Sequence, residues 1–224
     1  MKRTKLADRQ MPVYTKGEEI FNMVSHIVGG AMGILAIVLC AVFAGLNGDV
    51  YGVVSGCIFG ATMLVLYTSS SIYHGLKPKT FSKRVFQVID HCTIFILIAG
   101  TYTPIALCAI REVNTAVGWT LFGVIWGFAI IGIIFNSIDL KKYKKFSMIC
   151  YLVMGWLIVV KMGTLIDAVG MTGFWYLLSG GVAYTIGAVC YGLTKKKWMH
   201  SVFHVFCIIG SVLHFLFILF FIIL

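Results

Sequence analysis

Seven long, nearly uncharged apolar stretches run through this chain, at residues 23–45, 51–73, 86–110, 115–137, 146–166, 173–193 and 199–222. A helix needs about 20 mostly apolar residues to cross a hydrocarbon core about 30 Å thick, so every stretch is long enough to span. Of the 224 residues 60% are hydrophobic and 12% charged, against roughly 45–50% and about 25% in a soluble domain. No single core hides that much apolar surface, which excludes a soluble globular enzyme. A β-barrel would show short alternating segments instead of continuous apolar runs. The connections are too short for an extramembrane domain. The expected architecture is an all-α integral membrane protein, one seven-transmembrane helix bundle over residues 1–224, with a short N-terminal segment at 1–22.

The net charge of +10 would suggest nucleic acid on a soluble protein. Here the basic residues sit in short runs between apolar stretches, and a membrane reading without a nucleic-acid partner takes precedence. Lys2, Arg3, Lys5, Arg9 and Lys16 precede the first helix. Lys77, Lys79, Lys83 and Arg84 lie in the 2–3 loop, Lys141, Lys142, Lys144 and Lys145 in the 4–5 loop, and Lys195, Lys196 and Lys197 in the 6–7 loop. Sixteen of the 18 Lys and Arg residues thus fall on one side, whereas the opposite loops hold only Arg111. The positive-inside rule makes the crowded side cytoplasmic, with the N-terminus inside and the C-terminus outside.

The polar N-terminal segment does not read as a cleaved signal peptide. Within it, Glu18 to Ser25 is expected to form a short amphipathic interfacial helix. Glycines at four-residue spacing (Gly29/Gly33, Gly52/Gly56/Gly60, Gly123/Gly127) are expected to let helices approach closely. Seven cysteines, scattered through apolar stretches with no CxxC pair, argue against a disulfide framework and against thiolate metal ligation. No internal repeat of the kind found in inverted-repeat transporters is visible.

Ionisable side chains inside a membrane span are expensive and usually functional. Helix 1 opens with Glu19, Asn22 and His26 on one face. Helix 2 ends with Ser70 and His74, an i, i+4 pair. Helix 3 begins with Asp90 and His91, and helix 7 with His200 and His204, again i, i+4. The charge-derived topology brings all four groups to the same cytoplasmic depth. Two histidines one turn apart can both reach one ion, and His74 completes a set of three. Catalytic zinc sites use three protein ligands and leave a position for water, and imidazole also suits other transition metals. Asp90 would hydrogen-bond or deprotonate the bound water, with Ser70 a neighbouring donor. Glu19, Asn22 and His26 are supporting polar residues, which a helix-start cap or interhelical hydrogen bonds explain equally well.

Other polar residues read as structural. His214 lies ten residues past His204, about 15 Å deeper, and is expected to be a buried, hydrogen-bonded residue. His91 points away from Asp90, Lys161 can snorkel, and Pro104 is expected to kink helix 3. Trp119, Trp175 and Trp198 read as interfacial anchors. A chain of charged residues across the bilayer, as a transporter would need, is missing.

Taken together, Glu19-Ile-Phe-Asn22-Met-Val-Ser-His26, Ser70-Ser-Ile-Tyr-His74, Ile89-Asp90-His91, the stretch 99–104 (AGTYTP) and His200-Ser-Val-Phe-His204 resemble the hemolysin III family. That is the bacterial branch of the progestin and adipoQ receptor superfamily, which includes the adiponectin receptors. The resemblance covers Glu19 to His214. It implies seven helices and zinc near the cytoplasmic face of a bacterial inner (plasma) membrane. The ligands would be His74, His200 and His204, with Asp90 reaching the metal through water and Ser70 close by. It also implies kinship with metal-dependent lipid hydrolases, ceramidases among them, and a role in membrane-fluidity homeostasis. The short N-terminus does not support hormone binding. The expected function is zinc-dependent hydrolysis of a membrane-lipid amide or ester, with no protein partner predicted. The alternatives are a non-enzymatic sensor of membrane state braced by a structural zinc, and a cytolytic membrane protein.

Overall fold

The computed structural model describes residues 4, 6–9, 11–193 and 196–224. Of the basic residues that orient the sequence reading, Lys2, Arg3, Lys5 and Lys195 lie outside the described residues. Most of the described residues are helical, and no strand occurs among them. Five helical runs are long and apolar enough to cross a membrane: Lys16–Leu46, Val50–Gly75, Phe81–Val113, Thr115–Gly192 and Met199–Ile223. Five runs stand where the hydropathy pattern predicts seven stretches because the fourth, at 78 residues, covers three of them.

That run is interrupted by its backbone. Within α5 (Thr115–Trp156), Asp139 adopts φ −159° and ψ 93°, outside the helical region. Its Oδ1 accepts from the amides of Lys141 and Lys142, both at 3.1 Å. Asp139 therefore acts as an internal N-cap that starts the helix afresh. A 3₁₀ turn, Leu157–Lys161, leads into α6 (Met162–Gly192). There Gly170, with φ 68°, takes a left-handed conformation open to glycine at little cost.

Helix α1 (Lys16–Leu46) is one continuous element. The separate interfacial helix expected at Glu18 to Ser25 does not exist, because a capping box at Thr15 and Glu18 starts the long helix there. The Glu18 carboxylate accepts from the Thr15 amide at 2.8 Å and from the Trp198 amide at 2.7 Å. It thereby ties the start of α1 to the start of α7 (Met199–Ile218). The buried face of α1 carries Glu18, Asn22 and His26 and then Gly29, Gly30, Gly33 and Ala36, whereas Ile20, Val24, Ile27 and Ile34 are exposed. In lipid this inside-out pattern costs nothing on the apolar side and keeps polar groups among partners.

Helix α1 packs along α2 (Val50–Gly75), α2 along α3 (Phe81–Pro104), α3 along α5, and α6 along α7, which returns to α1 and closes the ring. The first two glycine runs make close approaches. A Cβ at Gly33 would lie 2.7 Å from the Leu64 amide nitrogen, and one at Gly60 2.6 Å from that of Ile37. Gly123 and Gly127 differ: nothing lies within 4 Å of a Cβ there, so they do not pack helices within this chain. A π-helical turn, Ile105–Ile110, begins directly after Pro104 and leads into the single helical turn α4 (Arg111–Val113). The missing N–H and the ring of that proline disrupt the regular α ladder where a kink is expected. The three tryptophans expected as anchors are all exposed.

Candidate metal centre

Histidine 74 stands in the last turn of α2, and His200 and His204 stand one turn apart at the start of α7. Their ring nitrogens come together with one potential ligand atom from each within 4.8 Å of the others, and all three residues are buried. The Nε2 atoms of His200 and His204 are 3.1 Å apart. At that distance one ring can donate to the other, or both can turn lone pairs toward one cation. Two nitrogens bound about 2.05 Å from a tetrahedral ion would be roughly 3.3 Å apart, so the observed pair fits a metal with little movement.

The hydrogen-bond pattern supports the same fit. Nδ1 of His74 lies 2.6 Å from Glu19 Oε2, and its Nε2 is buried without a partner. A carboxylate on one imidazole nitrogen leaves the other nitrogen free to ligate. A buried nitrogen with no partner needs a physical reason, and a cation supplies one. This cluster of three could hold a metal ion.

The sequence-predicted neighbours arrive as follows. Ser70 and Asp90 line the same cavity as His200 and His204. Ser70 Oγ is buried without a hydrogen-bond partner, and the Asp90 side chain keeps 15% exposure, with its Oδ2 3.5 Å from His91 Nδ1. Two members of the supporting trio touch predicted ligands: Glu19 meets His74, and His26 stacks on His204 with centroids 3.8 Å apart and meets Tyr67 edge-on. Asn22 is fully buried. None of the three takes the helix-cap role, which belongs to Thr15 with Glu18 as its capping-box partner.

The cavity, of about 190 Å³, runs from this polar end between α3, α5, α6 and α7 to His214. His214 is buried and hydrogen-bonds to the Leu177 carbonyl at 3.1 Å, as expected for a structural residue. His91 likewise is held by the Gln87 carbonyl at 2.9 Å and Tyr191 Oη at 3.3 Å. Deeper in the bundle the hydroxyls are linked rather than isolated. Tyr67 and Tyr184 each lie 2.6 Å from Ser211 Oγ, joining α2, α6 and α7.

Two residues of the site escaped sequence reasoning. The Tyr14 ring stacks on His200, with centroids 4.8 Å apart and planes 15° from parallel, and covers the ligand cluster. Burial, helped by the nearby Tyr191 and Glu19, pushes its phenol above the usual tyrosine range. Lys83, expected as a loop cation, is instead 2% exposed and pairs with Glu19 Oε1 at 2.9 Å. A signal for it existed: lysine in the first turn of a helix opposes the helix dipole, so another contact must hold it there.

The haemolysin-III-related family model matches residues 14–215. The chain is 36% identical to Hemolysin-3 of Bacillus cereus over 206 residues, 92% of each chain. It is also 36% identical to the Hemolysin-3 homolog of Bacillus subtilis (strain 168) over 209 residues, 93% of this chain and 96% of that one. A human protein, monocyte to macrophage differentiation factor, is 26% identical over 191 residues, 80% of this chain and 75% of its own.

Proposed function

This chain belongs to the haemolysin-III-related family, and from that premise we propose that it is a zinc-dependent hydrolase of a membrane-lipid amide or ester. The observation that carries the reading is the convergence of His74, His200 and His204 at the polar end of an apolar cavity whose wall includes Asp90 and Ser70. We take the breaks at Asp139 and Gly170 to separate three spans within the longest run, for seven in all, with the basic loops and the N-terminus inside. On this reading the protein is a multi-pass component of the bacterial plasma membrane, a single bundle, with a part in lipid homeostasis.

His74, His200 and His204 would hold the ion. A bound zinc supplies Lewis acidity and brings the pKa of water down to about 7. Asp90 takes a proton from the attacking water as general base and returns it to the leaving group. Ser70 Oγ donates to the oxygen that gains negative charge. The apolar wall takes the acyl chain and keeps bulk water from the reacting carbonyl. Three histidines beside a cavity favour this over a closed structural site, which would take four protein ligands.

The test is metal content by mass spectrometry on detergent-purified protein, read beside turnover of lipid amides and esters. Wild type should carry about one zinc per chain, the His200→Ala/His204→Ala variant none, and Asp90→Ala should keep metal and lose turnover. Metal-free wild type, or an active Asp90→Ala variant, overturns the reading.

A further inference from the structure

Lys83 does more than carry positive charge at the membrane surface. Its Nζ donates to the carbonyls of Tyr73 at 2.9 Å and Leu76 at 3.1 Å, at the C-terminal end of α2, and lies 4.8 Å from the Tyr73 ring centroid. Glu19 Oε1, at 2.9 Å, faces the third N–H. The other oxygen of that carboxylate faces His74 Nδ1. Three elements thus meet in one chain of contacts: a cation from the first turn of α3, a carboxylate from the first turn of α1, and an imidazole from the last turn of α2.

The order of the chain has a chemical consequence. An imidazole that donates from Nδ1 to a carboxylate leaves its Nε2 lone pair for a cation, and the 2.6 Å contact with Glu19 Oε2 sets His74 up in that way. Lys83 anchors the other oxygen of the same carboxylate. Without that anchor the carboxylate is free to swing away from Nδ1, and the His74 ring loses the contact that fixes both its orientation and the nitrogen that carries its proton.

We infer that Lys83 is a positioning residue for the metal centre, fixing through Glu19 the tautomer and orientation of His74. The inference rests on the metal-site reading above and adds to it a part for a residue outside the ligand set. Lys83 also caps α2, so a purely structural role must be separated from a positioning one.

The experiment uses the full-length protein in detergent with Lys83→Met, which keeps length and loses charge, Glu19→Gln, and the double variant. Zinc affinity is measured by competition with a chromogenic chelator well below the unfolding midpoint of each protein, and ¹⁵N chemical shifts of the His74 ring report its tautomer. Each single variant should bind zinc about 10–100-fold more weakly, as loss of a partner behind a metal-ligating histidine does elsewhere. The double variant should be no weaker than the weaker single one, because both changes break the same chain, and His74 should lose its fixed Nδ1–H tautomer. Lys83→Met with wild-type affinity and an unchanged His74 tautomer, whatever its thermal stability, overturns the inference, as do losses that multiply in the double variant. Wild type that binds no zinc overturns the metal centre itself, an outcome distinct from either.

Discussion

Replacing Gly33 by alanine tests how α1 is held against α2. At Gly33 a Cβ would lie 2.7 Å from the Leu64 amide nitrogen and 3.0 Å from the Gly60 carbonyl oxygen. Both neighbours are backbone, so no rotamer change relieves the contact. Reaching an ordinary separation of 3.4 Å from that nitrogen requires the helices to part by 3.4 − 2.7 = 0.7 Å locally. Overpacking of this kind costs about 1–3 kcal/mol, and packing is the principal attraction between helices in lipid. Alanine also gains up to about 1 kcal/mol in helix propensity, which would blur the result if Gly33→Ala were read alone. Gly123→Ala is the matched control: it lies in a helix, and nothing stands within 4 Å of its Cβ. The propensity gain cancels between the two variants, leaving Gly33→Ala about 1–3 kcal/mol less stable than Gly123→Ala. Thermal unfolding in a single detergent should separate their midpoints by about 2–12 °C, at about 2–4 °C per kcal/mol. Equal midpoints, or a less stable Gly123→Ala, would refute the close approach as a source of stability.

Two further outcomes follow from the same geometry. Asp139→Ala removes the acceptor for Lys141 N, Lys142 N and the Thr4 amide, the last at 2.8 Å; it should cost about 1–2 kcal/mol as a lost N-cap and speed trypsin cleavage before α1, whereas wild-type stability and cleavage would show that the break persists without its cap. Stripping metal with a chelator should lower the unfolding midpoint of wild type by about 5–10 °C, given about 2.7 kcal/mol at 100-fold saturation, and leave His200→Ala/His204→Ala unmoved; equal shifts in both proteins would place the stabilising ion elsewhere.

Much of this architecture was legible in the sequence because lipid imposes two simple demands. Apolar length marks helices, and a helical repeat of polar residues within an apolar run marks a face turned inward. Glu19, Asn22 and His26 obey the second demand on α1, as Ser70 and His74 do on α2 and His200 and His204 on α7. The convergence of the histidines therefore followed from register and a common depth. Helix boundaries were less legible. Hydropathy starts the first span at residue 23, but the Thr15–Glu18 capping box starts α1 at Lys16. The third glycine run fails for a related reason: small residues permit close approach, and only the packing of a second helix turns permission into contact. Gly123 and Gly127 face no such helix.

Lys83 shows where composition reasoning ends. Counting it among basic loop residues is right for chain topology and wrong for environment, because the rule that sorts cations to one side says nothing about depth. The overlooked clue was local. Thr80 caps α3, and the side chain three residues on, where a carboxylate suits the helix dipole, is a lysine. A residue that breaks its own helix's preference must be satisfied by another element, and here the C-terminal carbonyls of α2 and the Glu19 carboxylate do so. The unfavourable end of one helix dipole is thereby offset by the favourable end of another. Glu19 suits the dipole of α1 but carries a different cost, a carboxylate on the inner side of a membrane-spanning helix, and Lys83 and His74 together offset it. Each of these two residues is costly where it stands if taken alone, and each removes the cost of the other. Such mutual dependence is how a polar site can be built on apolar helices.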